Sequence, residues 1–405
     1  MSEERALVAV IGAGTMGAGI AQVALEGGWR VALHDAQDGA TDRARARIRG
    51  GLARRAAKSG VDADTLDEWV DGRLGMLAVA TSPGEAAHEA HLVIEAIVED
   101  LNTKRRLFAE LADAAPEDTI LATNTSALSV TDVAAAALRP ERVVGLHFFN
   151  PAPVLPLVEV VSGRRTAAWA MERAAGIVEG WGKTPIRVAD SPGFIVNRVN
   201  RPFTLEPLRL LRSGAGTVES IDAALTAAGF PMGPFALMDL IGIDVNLAAA
   251  RGLFEASGRP PRFRPSPIQE ELVAAGRLGR KTGEGFYRYA DGKPAGPAPR
   301  FSGQPQRPVQ RDVEGDPIPN AGLDPGTVAE RVILAIVNEA FRALGDGVAE
   351  EADIDLAMRL GASHPFGPFD WAARTGLHEV VVMLDALSDE DADTFRPALQ
   401  LLRRV

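Results

Sequence analysis

The sequence has no cysteine in 405 residues. That excludes a disulfide framework, a thiol nucleophile and a thiolate metal site, and it fits a reducing compartment. No apolar run approaches the length needed to span a bilayer. The opening residues, "MSEERALVAVIG", carry no basic segment ahead of an apolar stretch and no cleavage site, so no signal peptide is expected there. The expectation is a cytoplasmic protein without membrane insertion. A surplus of positive charge is also missing: 43 Lys and Arg face 54 Asp and Glu, a net charge of −11. A general nucleic-acid binder needs a basic surface, so nucleic acid is not an expected partner.

What is present is an ordinary globular composition, 46% apolar and 24% charged, in a chain long enough for two or three domains. "ALVAVIG" (6–12) is short, apolar and β-branched, as expected of a strand buried on both faces of a parallel sheet. "AGIAQVALEGG" (18–28) reads as a helix stopped by glycine, and "WRVALHD" (29–35) as a second strand. Further strands are expected at 91–97, 119–124, 142–149 and 155–161, with helical segments between them. This alternation predicts an open, doubly wound α/β Rossmann domain over 1–190. The chain then reads as helices over 191–290. Eight prolines between Asp291 and Pro325 mark 291–322 as a linker or wrapped segment. Residues 323–405 are helical again.

The two helical regions resemble each other. "NRVNRPFTLEPLRLLRSGAGTVESIDAAL" (197–225) aligns without gaps on "ERVILAIVNEAFRALGDGVAEEADIDLAM" (330–358) at an offset of 133. Arg198, Glu206 and Asp222 match Arg331, Glu339 and Asp355, and "PMGPF" (231–235) then matches "PFGPF" (365–369). The expectation is an all-α module present as two tandem copies.

"VIGAGTMGAGIA" holds G-x-G-x-x-G at Gly12, Gly14 and Gly17, after a buried-strand pattern and at the start of a helix. Gly12 permits the tight turn, Gly14 lets backbone approach a pyrophosphate, and Gly17 lets helix and strand pack closely. Ala13, Thr15 and Met16 complete the loop, whose helix end offers free N–H groups to phosphate. Asp35 ends the second strand, 18 residues after Gly17. A carboxylate there accepts ribose hydroxyls and repels a 2′-phosphate, which favours NAD over NADP.

An alcohol-oxidising nicotinamide enzyme needs a base, and histidine titrates near neutral pH. Of six histidines, His147 ends a predicted strand, and ligands bind outside strand C-termini in such folds. On its own it could equally be a packed core histidine, and Glu159 a strand-edge charge. Together they could form a base and its orienting carboxylate. His88 and His91 in H-E-A-H have metal-ligand spacing but no evident third ligand, so no metal is expected.

At this point the chain resembles the 3-hydroxyacyl-CoA dehydrogenase family. The resemblance rests on the glycine motif with "NTSAL" (124–128), "GLHFFNPAPVLPLVEV" (145–160), "DSPGFIVNR" (190–198), "GFPMGPFALMDLIGID" (229–244) and "LGRKTGEGFYRY" (278–289). It covers 5–290 almost continuously, and the tail resembles longer bacterial members with two C-terminal domains, some of which act on 3-hydroxybutyryl-CoA or 3-hydroxyadipyl-CoA. The resemblance implies an NAD-dependent oxidoreductase of fatty-acid, butanoate or phenylacetate metabolism that takes an acyl-CoA substrate. It implies His147 as general base, Glu159 orienting it, and Ser126 and Asn197 bonded to the reacting oxygen. Asn150 and Ser126 would line the nicotinamide end, with Phe148 and Phe149 walling the site. Glu99, Lys104 and Lys281 would touch the dinucleotide, and Lys58 the CoA.

Read without the resemblance, Ser126 is a turn residue, Asn197 a helix cap, and Lys104 and Lys281 solvated charges. The arginine-rich helix (Arg43, Arg45, Arg47, Arg49, Arg54, Arg55) could be a solvated face or a seat for CoA phosphates. The family's CoA-contacting serine is matched here by Gly51. Glu330 stands where Asn197 has its counterpart, so the second copy is expected to lack a catalytic part. In short family members this helical domain dimerises. The expectation is therefore 323–405 packed on 191–290 as an internal pseudo-dimer, or a homodimer. Two alternatives remain: an NAD enzyme of a free hydroxy acid, and a non-catalytic NAD-binding protein.

Overall fold

The computed structural model describes residues 6–302 and 324–405. The chain divides between Phe194 and Ile195 into two compact units.

The first unit is a Rossmann-type α/β domain. Its strands are β1 (Leu7–Ile11), β2 (Arg30–His34), β3 (Leu77–Val79), β4 (Leu92–Glu95), β5 (Ile120–Thr123), β6 (Val143–Phe148), β7 (Leu157–Ser162) and β8 (Thr184–Ala189). Its helices are α1 (Thr15–Glu26), α2 (Ala40–Lys58), α3 (Leu66–Leu74), α4 (Pro83–Ala87), α5 (Leu101–Ala114), α6 (Val130–Ala134) and α7 (Ala168–Gly180). The strands form one sheet in the order β3-β2-β1-β4-β5-β6-β7-β8. β4 and β5 lie at its centre, and their side chains are excluded from solvent, as helices on both faces require.

The sheet is not parallel throughout. β7 pairs antiparallel with β6, and β8 runs parallel to β7. Only residues 149–156 separate β6 from β7, too few for the dozen or more residues of a parallel crossover. This reversal sets His147 directly opposite Glu159 in the β6–β7 register. Directly opposed residues of an antiparallel pair put their side chains on one face.

The second unit is helical: α8 (Val196–Val199), α9 (Arg201–Arg212), α10 (Val218–Ala227), α11 (Pro234–Ile241), α12 (Ile243–Ala256), α13 (Pro267–Ala274), α14 (Pro325–Gly345), α15 (Glu351–Gly361), α16 (Pro368–Thr375), α17 (Leu377–Ser388), α18 (Ala392–Phe395) and α19 (Leu399–Leu402). A hairpin of β9 (Tyr287–Ala290) and β10 (Lys293–Pro297) interrupts them. Of 291–322, expected as a linker or wrapped segment, residues 291–302 pack back on the chain before them. β10 pairs with β9, and the Phe301 ring stacks 5.3 Å from that of Phe286. The rest of that segment, 303–322, lies outside the described residues. No described helix is long and apolar enough to cross a membrane.

The two helical segments repeat their contacts. The Asp222 carboxylate accepts the N–H groups of Phe235 and Ala236, and that of Asp355 accepts those of Phe369 and Asp370. A Cβ at Gly233 would lie 2.3 Å from Asp222, and one at Gly367 would lie 2.2 Å from Asp355, so only glycine fits at either place. Between the segments, Arg198 pairs with Glu339 at 2.7 Å and Arg331 with Glu206 at 2.5 Å. Each position meets the other's partner, which is the reciprocity of a two-fold interface. Both glutamates are buried, and each holds a second arginine three residues on, Arg209 or Arg342.

Candidate active site

The glycine loop follows from packing. Gly12 has φ +107°, and a Cβ there would meet the Ala96 carbonyl at 2.4 Å. A Cβ at Gly17 would fall 1.8 Å from the Gly12 carbonyl, so α1 closes on β1 only with glycine at that position. At Gly14 a Cβ would meet nothing within 4 Å. Gly14 caps α1 without a side-chain bond, so no capping side chain takes up the first-turn N–H groups. Asp35, at the end of β2, accepts the N–H of Ala13 at 2.7 Å and that of Gln37 at 2.8 Å, which ties the loop to the strand. The open backbone at Gly14, the uncapped helix end and a carboxylate beside them fit an adenine dinucleotide, pyrophosphate over α1 and ribose toward Asp35.

The strand ends after β4 and β5 carry a polar cluster. Glu95 is wholly buried and accepts Lys104 Nζ at 2.6 Å, the Thr123 hydroxyl at 2.7 Å and the Ile97 N–H at 2.8 Å. Lys104 Nζ also lies 3.0 Å from Glu99, which further accepts the Thr125 hydroxyl and the Ser126 N–H. Burial alone would raise the Glu99 carboxyl. The Lys104 charge and these hydrogen bonds outweigh it and hold the carboxyl below its ordinary value. Lys104, expected to touch the dinucleotide, is 1% exposed and anchors Glu99, the exposed member of the cluster. Ser126 is exposed beside Glu99, and Asn124 accepts the Phe148 N–H at 2.9 Å, bracing β5 against β6.

His147 Nδ1 donates to Glu159 Oε2 at 2.6 Å. Glu159 has no exposure and His147 6%. Because an ionised carboxylate only accepts, the proton sits on Nδ1 and leaves a lone pair on Nε2. The Phe149 and Phe194 rings lie 4.4 and 5.8 Å from the imidazole. Phe148, expected to wall the site, points into the hydrophobic core instead, since alternation sends neighbouring strand residues to opposite faces. Asn150 follows on the exposed turn after β6.

Other expected residues lie on other elements. Asn197 is half-buried on α8 of the second unit. Lys281, in the same unit, is bound to both carboxylate oxygens of Asp244, at 2.6 and 2.8 Å. Lys58 is exposed at the end of α2, as are most arginines of that helix, with Arg49 paired to Asp71. Gly51 is buried, and a Cβ there would lie 1.9 Å from Gln22 Oε1. That position faces α1, so a serine there could not reach a ligand outside. His91 Nδ1 accepts the Leu7 N–H. The sequence reading missed Glu95, Thr125 and Asp190. Asp190 accepts the Ser129 hydroxyl and the Val130 and Thr131 N–H groups, fastening the chain after β8 to the start of α6.

Residues 7–191 match the family description "3-hydroxyacyl-CoA dehydrogenase, NAD binding domain", and residues 193–289 and 326–405 match the C-terminal domain of the same description. The chain is 38% identical to a 3-hydroxyadipyl-CoA dehydrogenase of Escherichia coli K12, over 98% of this chain and 97% of that one. It is 42% identical to human mitochondrial hydroxyacyl-coenzyme A dehydrogenase, over 70% of this chain and 90% of the relative. A crystal structure of 3-hydroxybutyryl-CoA dehydrogenase from E. coli K12 superposes with a TM-score of 0.86 at 38% identity, covering 99% of this chain and 98% of that one.

Proposed function

The chain belongs to the 3-hydroxyacyl-CoA dehydrogenase family, an NAD-dependent oxidoreductase class, and from that premise we propose how its residues share the work. The reaction is (S)-3-hydroxyacyl-CoA + NAD ⇌ 3-oxoacyl-CoA + NADH, with a proton released. NAD, when bound, supplies the acceptor for the hydride leaving C3. His147 takes the 3-hydroxyl proton on Nε2 and returns it in the reverse direction. Glu159 holds the tautomer that makes this possible and balances the imidazolium formed. The observation that carries this reading is the buried His147–Glu159 bond beside the sheet edge that holds the glycine loop.

Ser126 and Asn197 donate hydrogen bonds to the reacting oxygen, and Asn150 and Ser126 border the nicotinamide. Gly12 to Gly17 seat the pyrophosphate, with Asp35 on the ribose and Glu99 at the cofactor's edge. Lys58 and the neighbouring arginines attract the CoA phosphates, and Lys281 serves the dinucleotide once Asp244 shares it. The matched contacts of 191–290 and 323–405 support two copies of one helical domain, packed as an internal pseudo-dimer, only the first having the catalytic asparagine. The setting would be cytoplasmic breakdown of fatty acids, butanoate or phenylacetate.

His147→Ala should lower kcat by about 10²–10⁴ while NAD binding persists. Retained turnover would overturn the assignment. Activity on free 3-hydroxybutyrate exceeding that on its CoA ester would overturn the substrate class.

A further inference from the structure

Arg201 has no part in the account above. It opens α9 and is 5% exposed. Of the other arginines inside its unit, the buried Arg198 is paired with Glu339 and Asp346, and the half-buried Arg331 with Glu206 and Glu390. Among the described residues Arg201 forms no ion pair, and its buried Nε has no hydrogen-bond partner. Burial, with no acid to offset it, lowers the guanidinium to about 10. A cation left unpaired in a protein interior is destabilising, and an arriving anion relieves that.

Its position says which anion. Asn197 lies one helical turn earlier, and Asn200 between them is right-handed at φ −80°, ψ −8°. Positions four apart share a side, about 6 Å apart along the axis. On the reading above, Asn197 stands at the 3-oxygen of the substrate. Three further carbons, at about 1.5 Å per bond, extend about 4 Å from C3. A carboxylate at that end comes within reach of a guanidinium one turn from Asn197, whose planar fork suits it.

We propose that Arg201 binds a carboxylate at the far end of the acyl chain, so that the preferred substrate is a six-carbon 3-hydroxyacyl-CoA ending in an acid. This rests on the acyl-CoA dehydrogenase reading. The test compares 3-hydroxyadipyl-CoA with 3-hydroxyhexanoyl-CoA, which differ only in the terminal carboxylate. The wild type should favour the first at least about tenfold in kcat/KM, and Arg201→Met should lower that ratio about a hundredfold, with Arg201→Lys between them. No preference in the wild type, or an unchanged ratio in Arg201→Met, overturns the proposal. Turnover of neither ester by the wild type would instead refute the underlying reading. Should the variant not fold, adipyl-CoA and hexanoyl-CoA serve as inhibitors of the wild type. About tenfold tighter inhibition by adipyl-CoA supports the proposal, and equal inhibition overturns it.

Discussion

The two helical segments, 195–289 and 326–405, share their scaffold and differ in what chemistry would use. Each fastens an aspartate over a glycine-started helix, and each sends an arginine to the other's buried glutamate. Yet Glu330 occupies the place of Asn197, and Ala373 that of Asp239. Asp239 holds the hairpin through the N–H groups of Phe286 and Tyr287, and the second segment has no such hairpin. Contacts that maintain packing persist in both segments, while Asp239, which holds an appended element, and Asn197, proposed above to meet the substrate, occur in one.

The buried ion pairs offer the strongest way to break this comparison. Arg331→Met leaves Glu206 with only Arg209, whereas Arg198→Met leaves Glu339 with Arg262 and Arg342. Removing one partner of a buried pair costs about 3–5 kcal/mol, so Arg331→Met should lie at the upper end in denaturant unfolding and Arg198→Met below it. Equal losses would mean that the two glutamates are electrostatically alike. The next effect is catalytic. Asn197→Ala should lower kcat/KM about a hundredfold, while Glu330→Ala, at an exposed position, should leave it within twofold.

A smaller difference separates the aspartates. Asp222→Ala strands the N–H groups of Phe235 and Ala236 and the Tyr287 hydroxyl, while Asp355→Ala strands only two N–H groups. At about 1–3 kcal/mol per unsatisfied buried group, Asp222→Ala should cost more. The smallest effect is in pH. Burial raises the Asp222 carboxyl to about 6 from 3.8, partly offset by hydrogen bonds from Phe235, Tyr287 and Ala236. The folded state therefore binds this proton more tightly than the unfolded chain. Its contribution is complete below about pH 4 and is lost as pH rises through 6. Unfolding measured from pH 4 to 7 should show that decline, and Asp222→Asn should reduce it, with the raised carboxyls of Asp239 and Asp355 carrying the rest.

Six of the eight sheet strands were legible because Val, Ile and Leu run almost unbroken through them. β3 escaped notice at three residues, two of them exposed, and β8 because Pro185 and Arg187 break its apolar pattern. The reversal at β7 was not read, although the few residues between the strands expected at 142–149 and 155–161 leave no room for a parallel crossover. Glu159 stood out as an acid inside an apolar strand. Glu95, in "HLVIEAI", carries the same signature, and its buried lysine partner gives the physical reason. Asp190 left no comparable trace, since a carboxylate that caps a distant helix is set by tertiary contact alone.

The reciprocal arginine–glutamate pairs have a consequence for how this protein can change. In an assembly of two identical chains every substitution is written twice, once on each side of the axis. Here the two sides are encoded separately, so a replacement such as Glu330 alters one side and spares the other. Arg262 already reaches Glu339 at 2.9 Å, while Thr394 stands at the matching place, one residue before the Phe-Arg-Pro shared by 263–265 and 395–397. On the proposal of two copies packed as an internal pseudo-dimer, joining the halves in one chain lets the symmetry decay one residue at a time.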